Sequence, residues 1–531
     1  MIYHDPTKAD FRRPYGAAEI SKEIFLCCLS DRDTVTLLLH SDSESRALPM
    51  ARDGGRFSVS FPAEDEPGLL WYAFAAGEER TREWQITEYA PSPVPEWYKN
   101  AVVYQIFPDS FARDRGWLFR EPDKRRGSCR FTLPEWDSPA FYPKDERGAV
   151  CAWPFHGGTL RGIEEKLPYL ESLGITCLYL NPIFAAASSH RYDTADYMSV
   201  DPMLGTEADF VSLCAGAEKR GIRILLDGVF NHTGADSIYF DRFGNYGTAE
   251  RYKSWFRFGS QYTHGYECWW DVPDLPNVEE NDPGYREFIC GENGVLRHWL
   301  RLGASGWRLD VADELPDSFI RDIRTAVRAE KPDAVLLGEV WEDASNKVSY
   351  GERRRYFAGD ELDSTMHYPF RTLSLDFLTG RIDAQTLADG LEELRQHYPR
   401  ENYYAALNLI GSHDRERALT VLGGDKKKLR CLQAMQFVLP GVPCLYYGDE
   451  AGMEGGSDPY NRAPYPWGNE DAELQAHFRF LTRLYREHPV LRSGEAAFSA
   501  EGEDVFLCER RDEREALRFR LDRKNAEWTL R

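Results

Sequence analysis

The sequence predicts an α/β protein: a (β/α)8 TIM barrel with a looped subdomain after its third strand, an N-terminal β-sandwich-like domain and a short C-terminal β region. Three observations carry that expectation. From residue 101 onward, apolar runs of strand length alternate with amphipathic helical stretches. Four of those runs end in charged residues, the layout of a barrel whose site lies at the C-terminal ends of its strands. Ahead of them, strand-like runs are separated by turn clusters alone.

Residues 1–90 make up the predicted β-module. Segments 23–30, 34–40, 55–63 and 68–76 read as strands, with Ser41-Asp42-Ser43 and Asp53-Gly54-Gly55 as turns. Pro91, Pro93 and Pro95 make 91–100 a stiff linker. The barrel takes 101–496, with strands expected at 101–107, 177–181, 222–229, 306–311, 334–340, 362–367, 404–409 and 444–447. Segments 207–220, 318–330, 384–396 and 426–438 read as helices between them. Another helix opens at Gly157-Gly158-Thr159-Leu160, where Thr159 can cap the free N–H groups and Pro168 interrupts the pattern. One βα unit takes about 30 residues. Asp310 to Glu339 spans 29 positions, but Asp227 to Asp310 spans 83. The excess is an insertion at about 233–281, rich in Tyr, Phe, Trp and Gly. A second excursion, 112–154, follows the first strand, and 497–531 is left for the C-terminal β region.

The 531 residues are 42% hydrophobic and 29% charged, a balance that excludes a disordered or collagen-like chain. Lys and Arg number 65 against 87 Asp and Glu, a net charge of −22. So acidic a surface repels phosphate backbones and anionic lipid, and no apolar run approaches the ~20 residues that a bilayer requires. No nucleic acid and no membrane partner is therefore expected. Met1 to Pro6 shows no basic region leading into an apolar run. The eleven cysteines are scattered, Cys27 and Cys28 are adjacent, and none forms a Cys-x-x-Cys pair. This argues against a zinc knuckle or a disulfide framework and predicts reduced thiols in a cytoplasm. No EF-hand-like spacing occurs, and neither a metal nor another cofactor is expected. Aromatic residues make up 13%, which suits the apolar faces of sugar rings as well as a core.

The charged strand ends are Ile224-Leu225-Leu226-Asp227-Gly228-Val229-Phe230-Asn231-His232, Gly306-Trp307-Arg308-Leu309-Asp310-Val311, Leu336-Leu337-Gly338-Glu339-Val340-Trp341 and Leu409-Ile410-Gly411-Ser412-His413-Asp414. Alternation along a strand points Arg308 and Asp310 the same way, into the barrel mouth. Asp310, Glu339 and Asp414 then converge from three strand ends. Taken singly, Asp227 could cap a helix, Arg308 and Asp310 could be a plain ion pair, and His232 and His413 could be satisfied core histidines. Together they cost stability unless a substrate or metal uses them. Two carboxylates flanking an acetal carbon are the equipment of glycoside hydrolysis: one attacks the anomeric carbon, while the other protonates the departing oxygen and then activates water. A third can hold sugar hydroxyls. Nearby carboxylates raise the pKa of the acid, and an arginine keeps the nucleophile ionised and aimed.

Read in order, these runs resemble the signature regions of the α-amylase family, glycoside hydrolase family 13, most closely its neopullulanase, cyclomaltodextrinase and maltogenic-amylase branch. The likeness covers about residues 104–488 and includes Val103-Tyr104-Gln105-Ile106-Phe107-Pro108-Asp109, Phe155-His156-Gly157-Gly158, Asn181-Pro182-Ile183-Phe184, His190-Arg191-Tyr192-Asp193 and Gly441-Val442-Pro443-Cys444. The resemblance implies a retaining hydrolase of α-1,4 or α-1,6 bonds in maltooligosaccharides, cyclodextrins or pullulan. In it Asp310 would be the nucleophile, Glu339 the general acid/base and Asp414 the transition-state stabiliser. It further implies that Arg308 orients Asp310, that His232 and His413 hydrogen-bond the sugar, and that Tyr192 stacks beneath it. Asp227 and Asn231 would shape the site from the third strand. Retention places the Asp310 and Glu339 carboxyls about 5–5.5 Å apart. The N-terminal module would assist homodimerisation or glucan binding, and carbonyls and acids of the insertion could hold calcium.

Three features depart from the branch. Arg415 stands where the branch carries Thr after the His-Asp pair, Val272-Pro273-Asp274-Leu275-Pro276-Asn277 blends endo- and exo-acting patterns, and the C-terminal β region is short. Two other readings of the site are glucosyl transfer or isomerisation, and a non-catalytic glycan-binding protein. The presence of both Asp310 and Glu339 weighs against the second.

Overall fold

A computed structural model describes residues 1–119 and 129–531. Residues 120–128, inside the excursion expected at 112–154, lie outside the described residues. Eight parallel strands form the central sheet: Val103–Ile106, Cys177–Leu180, Arg223–Gly228, Gly306–Leu309, Val335–Gly338, Ser364–Thr365, Leu407–Leu409 and Val442–Tyr446. They lie in the order sixth, fifth, fourth, third, second, first, eighth, seventh. A parallel bridge from Met366 to Leu407 joins the two ends, so the sheet closes into a barrel. All eight predicted strands form. The sixth is only two residues long because Asp363 uses its side chain instead: its Oδ2 accepts the Leu336 N–H at 2.8 Å.

Inside the barrel the lining changes from apolar to polar within one alternation step. Val103, Cys177, Tyr179, Leu225, Val335, Leu337 and Leu407 are buried in the interior core. Two residues beyond Val103, Tyr179, Leu225 and Leu337, on the same face, come Gln105, Asn181, Asp227 and Glu339. The apolar floor carries the packing energy, and the polar layer above it can afford to be chemical. Outward-facing residues such as Tyr104, Leu178, Leu226 and Trp307 pack under the surrounding helices.

The helices start where the sequence provides caps. The hydroxyl of Thr206 accepts the Asp209 N–H while the Asp209 carboxylate accepts the Thr206 N–H at 2.8 Å, a reciprocal box that opens Glu207–Glu218. Thr159 caps Leu160–Glu165 through the Gly162 N–H at 2.9 Å. Pro168 lacks an N–H, and the chain duly restarts as a second helix, Leu167–Ser172. Helices Asp317–Glu330, Ala384–His397 and Lys426–Val438 lie within a residue of the expected positions.

The N-terminal region is two facing sheets, antiparallel but for one short parallel pair of Ala18–Glu19 with Trp84–Tyr89, whose inward residues, among them Ile24, Leu26, Phe57, Leu37, Tyr72 and Phe74, share one core. The expected linker at 91–100 does not stand off as a spacer. It carries a short helix, Glu96–Lys99, and buries Val94 and Tyr98 in the interior core of the barrel. The insertion leaves after His232 and returns at the His232–Asn277 and Phe256–Val278 bridges. Helices Pro283–Cys290 and Val295–Arg301 then lead to the fourth strand. At the C-terminal end, Glu495–Glu501, Val505–Arg511, Ala516–Asp522 and Glu527–Leu530 form a four-stranded antiparallel sheet whose Phe506, Phe519 and Leu521 join the helical core.

One buried acid tests this packing. Glu361 is fully buried, neither of its oxygens receives a hydrogen bond, and Arg321 Nη1 stands 3.7 Å away. Burial, helped by Asp317 and Asp360, pushes its carboxyl up to about 8. The folded chain thus holds this proton more tightly than the unfolded chain. Stability is therefore lost as pH rises from the ordinary carboxylate range through about 8. Glu361→Met should remove roughly 1–3 kcal/mol of that penalty at about pH 9 and little at about pH 5. Thermal unfolding at the two pH values checks this, and a variant less stable than the parent at the higher pH would contradict it.

Candidate active site

Arg308, fully buried, stands at the centre of the polar layer. Its Nη1 donates to Asp227 Oδ1 at 2.6 Å and to Asp310 Oδ1 at 2.9 Å, and its Nη2 lies 2.9 Å from Glu339 Oε2. The strand register makes this meeting unavoidable. Asp227 pairs with Arg308 across the third and fourth strands, and Leu309 pairs with Gly338 across the fourth and fifth. Asp310 and Glu339 each follow one residue later, their N–H groups donating to Gly228 O at 3.0 Å and Leu309 O at 2.9 Å.

Val311 then turns into the left-handed region (φ 39°, ψ 55°), a costly conformation for a β-branched residue. The turn aims its N–H at Glu339 Oε2, 2.8 Å away, while Trp341 Nε1 donates to Glu339 Oε1 at 2.9 Å. Both oxygens of Glu339 are thereby held. Strain of this kind persists where the surroundings enforce it, and here it orients an acid.

Asp227 is part of the wall. Its Oδ2 accepts from the Tyr179 hydroxyl at 2.7 Å and the Tyr192 hydroxyl at 2.8 Å. Tyr192 in turn contacts His413 Nε2 at 2.5 Å and accepts from Asn181 Nδ2 at 2.8 Å, with its ring stacked on the His413 ring at 5.1 Å. Gln105 Nε2 lies 2.9 Å from His413 Nδ1 and donates to it, so the ring proton sits on Nε2, facing Tyr192 and Asp414 Oδ2 at 3.0 Å. His232 is engaged at both nitrogens, with Tyr192 O at 3.1 Å and Asn231 Nδ2 at 3.2 Å, and its ring lies on Trp269. Neither histidine presents an unused ring nitrogen. Both are tied into the wall around Arg308. Burial keeps them neutral, His232 at about 4 and His413 well below its usual range.

Every residue expected at the site is therefore in one connected network. Asp414 joins it from the seventh strand side through His413. Four members escaped the sequence reading as site residues. Gln105, Tyr179 and Asn181 carried a usable signal, the alternation that places them on the inward face. Arg462 carried none: it lies in a single 3-10 turn, Tyr460–Arg462, outside the barrel strands, reaches Asp414 Oδ1 at 3.5 Å, and is anchored by Tyr142 at 3.0 Å and Asp458 at 2.8 Å.

The charges are unbalanced by design of the fold. Burial lifts Asp310 well above the usual carboxylate range, and the charges of Glu339 and Asp227 add to this against the pull of Arg308. Burial and Glu339 push Asp414 up to about 7, with Arg462 and Arg308 opposing. Asp310 and Asp414 thereby hold their protons more tightly than exposed carboxylates do.

Residues 105–490 match the model of the α-amylase catalytic domain. The chain belongs to the α-amylase family. It is 33% identical to an amylopullulanase of Thermoanaerobacterium saccharolyticum over 96% of this chain and 47% of that one. To a cyclomaltodextrinase of Geobacillus thermopakistaniensis it is 36% identical, over 81% of this chain and 70% of the other. Among solved structures, the cyclic α-maltosyl-(1→6)-maltose hydrolase of Arthrobacter globiformis in ligand-free form superposes with a TM-score of 0.71 at 31% identity, covering 82% of this chain and 97% of that one. The chain spans less than half the length of the amylopullulanases it matches.

Arg462 gives the site its first test. Its charge lowers the Asp414 pKa. Arg462→Met should raise the Asp414 pKa by roughly one unit or more. The acid limb of the kcat/KM profile that reports Asp414 ionisation then moves toward higher pH. An unmoved limb would mean that Asp414 does not need its charge.

Proposed function

We propose that the chain is a retaining α-glucan hydrolase acting on maltooligosaccharides, cyclodextrins or pullulan. The observation that carries the reading is Arg308 binding Asp310 and Glu339 at once, at the mouth of an α-amylase-family barrel. In it Asp310 attacks the anomeric carbon while Glu339 gives its proton to the departing glycosidic oxygen. Water, deprotonated by the same Glu339, then releases the glycosyl group from Asp310. Arg308 keeps Asp310 aimed and stabilises its charge. Asp414, half-open to the mouth, grips hydroxyls next to the anomeric carbon as the ring flattens. His232 and His413 hydrogen-bond the sugar, Tyr192 stacks beneath it, and Asp227 and Asn231 shape the site from the third strand. A cytoplasmic setting is part of the reading, supported by eleven unpaired cysteines. Among the described residues no helix is long and apolar enough to cross a membrane.

Sugar release from β-cyclodextrin, pullulan, starch and maltotriose tests the assignment. Glu339→Gln should lower kcat by about 10²–10⁴-fold, the usual worth of a general acid. Asp310→Asn should cost roughly 10⁴-fold or more, since no covalent intermediate can form. Near-normal turnover in Asp310→Asn would remove it as nucleophile. Products longer than the substrate at high acceptor concentration would instead favour glucosyl transfer at the same site.

A further inference from the structure

The insertion after the third strand carries a second cluster of ligating side chains, outside the carboxylate network. His264, Cys268 and Asp271 place a ring nitrogen, a thiol sulfur and a carboxylate oxygen within 4.8 Å of one another. His264 Nε2 and Asp271 Oδ1 are 3.6 Å apart. The loop is bent to achieve this. Bridges from Phe258 to Tyr266 and from Cys268 to Pro276 make two narrow turns. Trp270 and Asp271 then occupy the left-handed region in succession, φ 49° and 60°, which turns the Asp271 side chain back toward Cys268 and His264.

We propose that His264, Cys268 and Asp271 form a binding site for a divalent ion of borderline softness, of which Zn²⁺ is the type. The donor set decides the ion. Imidazole and thiolate select zinc-like ions over Mg²⁺ or Ca²⁺, which take oxygen ligands. Three protein ligands leave a fourth tetrahedral position open to water. Metal–ligand distances are about 2.0–2.3 Å, so the three donors need only close inward by roughly an ångström to meet one ion. All three sit in one eight-residue stretch, where the His264 and Asp271 side chains are partly exposed and Cys268 packs against the edge of the core. On binding, Cys268 gives up its thiol proton to solvent and the sulfur bonds the metal, so affinity rises with pH.

The site is tied to the catalytic mouth. Trp269, next to Cys268, stacks on His232 at 5.6 Å, and Trp270 Nε1 donates to Glu314 Oε1 at 3.3 Å, four residues beyond Asp310. An ion held here would fix the loop that lies against one wall of the sugar site.

Titration of the full-length reduced protein with Co²⁺ as a spectroscopic stand-in tests the proposal. One equivalent should bind with a thiolate-to-cobalt charge-transfer band and the d–d absorption of a tetrahedral site, and Zn²⁺ should displace it. Cys268→Ser should lose the band, and His264→Ala and Asp271→Asn should each weaken binding by at least about tenfold. Persistence of the band in Cys268→Ser would place the metal at another cysteine and overturn the assignment. So would a wild-type complex with no thiolate band, or an affinity equal in all three variants. None of these readouts depends on glucan hydrolysis, so the metal site and the hydrolase reading fail separately.

Discussion

Everything at the barrel mouth is arranged around one guanidinium. Arg308 is out of solvent, and three carboxylates lean on it through two nitrogens. Removing so many charges from water is unfavourable, and the mutual attraction returns only part of the cost. A single cation cannot neutralise three acids. The site is left acidic in both senses: short of positive charge and disposed to hold protons. That shortage explains why burial and neighbouring charge raise Asp310 and Asp414 rather than lower them. In the proposed reaction Asp310 must be ionised to attack, and Arg308 is the group that opposes the upward shift.

The wall around the guanidinium consists of neutral polar groups, and this follows from the same shortage. His232 and His413 are held uncharged by burial, and each nitrogen has a fixed partner. The Tyr192 hydroxyl hands its proton to Asp227 while taking one from His413 or Asn181. Asp227 thus spends both oxygens on Arg308 and two tyrosines and is not free to react. Asp310 and Glu339, by contrast, lie just beyond their strands, where Arg308 holds Asp310 and the Val311 and Trp341 N–H groups orient Glu339. The division between structural and reactive carboxylates comes from how far along the strand each one sits.

Most of this was legible because a barrel strand is a simple code. Period-two alternation and a charged terminus located Arg308, Asp310 and Glu339 directly, and the 29-residue spacing matched one βα unit. The sixth strand was overextended at 362–367 because a side chain, Asp363, replaces part of its ladder, which composition does not reveal. The proline-bearing 91–100 segment looked like a spacer, yet its Val94 and Tyr98 are drawn into the barrel core by the apolar surface they carry. Arg462 and the His264–Cys268–Asp271 cluster were invisible because loops bring them together through turns with no periodic signature. Sequence periodicity reaches as far as the regular elements do and stops at the rim.

The rim is also where the chain departs from its branch, and the departure is not accounted for by stability. Arg415 is exposed, and its guanidinium lies 5.2 Å over the Trp341 ring, a contact worth about 0.5–1 kcal/mol at such a site. Against this, it faces buried Arg371, whose own pKa is pushed down to about 10 by burial and by the Arg415 charge. Arg371 holds Ile410 O and Glu416 O, and so braces the loop that bears Asp414. Attraction to the ring on one side is thus opposed by repulsion from Arg371 on the other. What remains is position: Trp341 donates to Glu339, stacks on Tyr368 at 4.6 Å, and carries Arg415 on its ring. In the proposed reaction Glu339 is the proton donor, and this cation, one aromatic ring away, offers a place to tune the leaving-group side without touching the carboxylates.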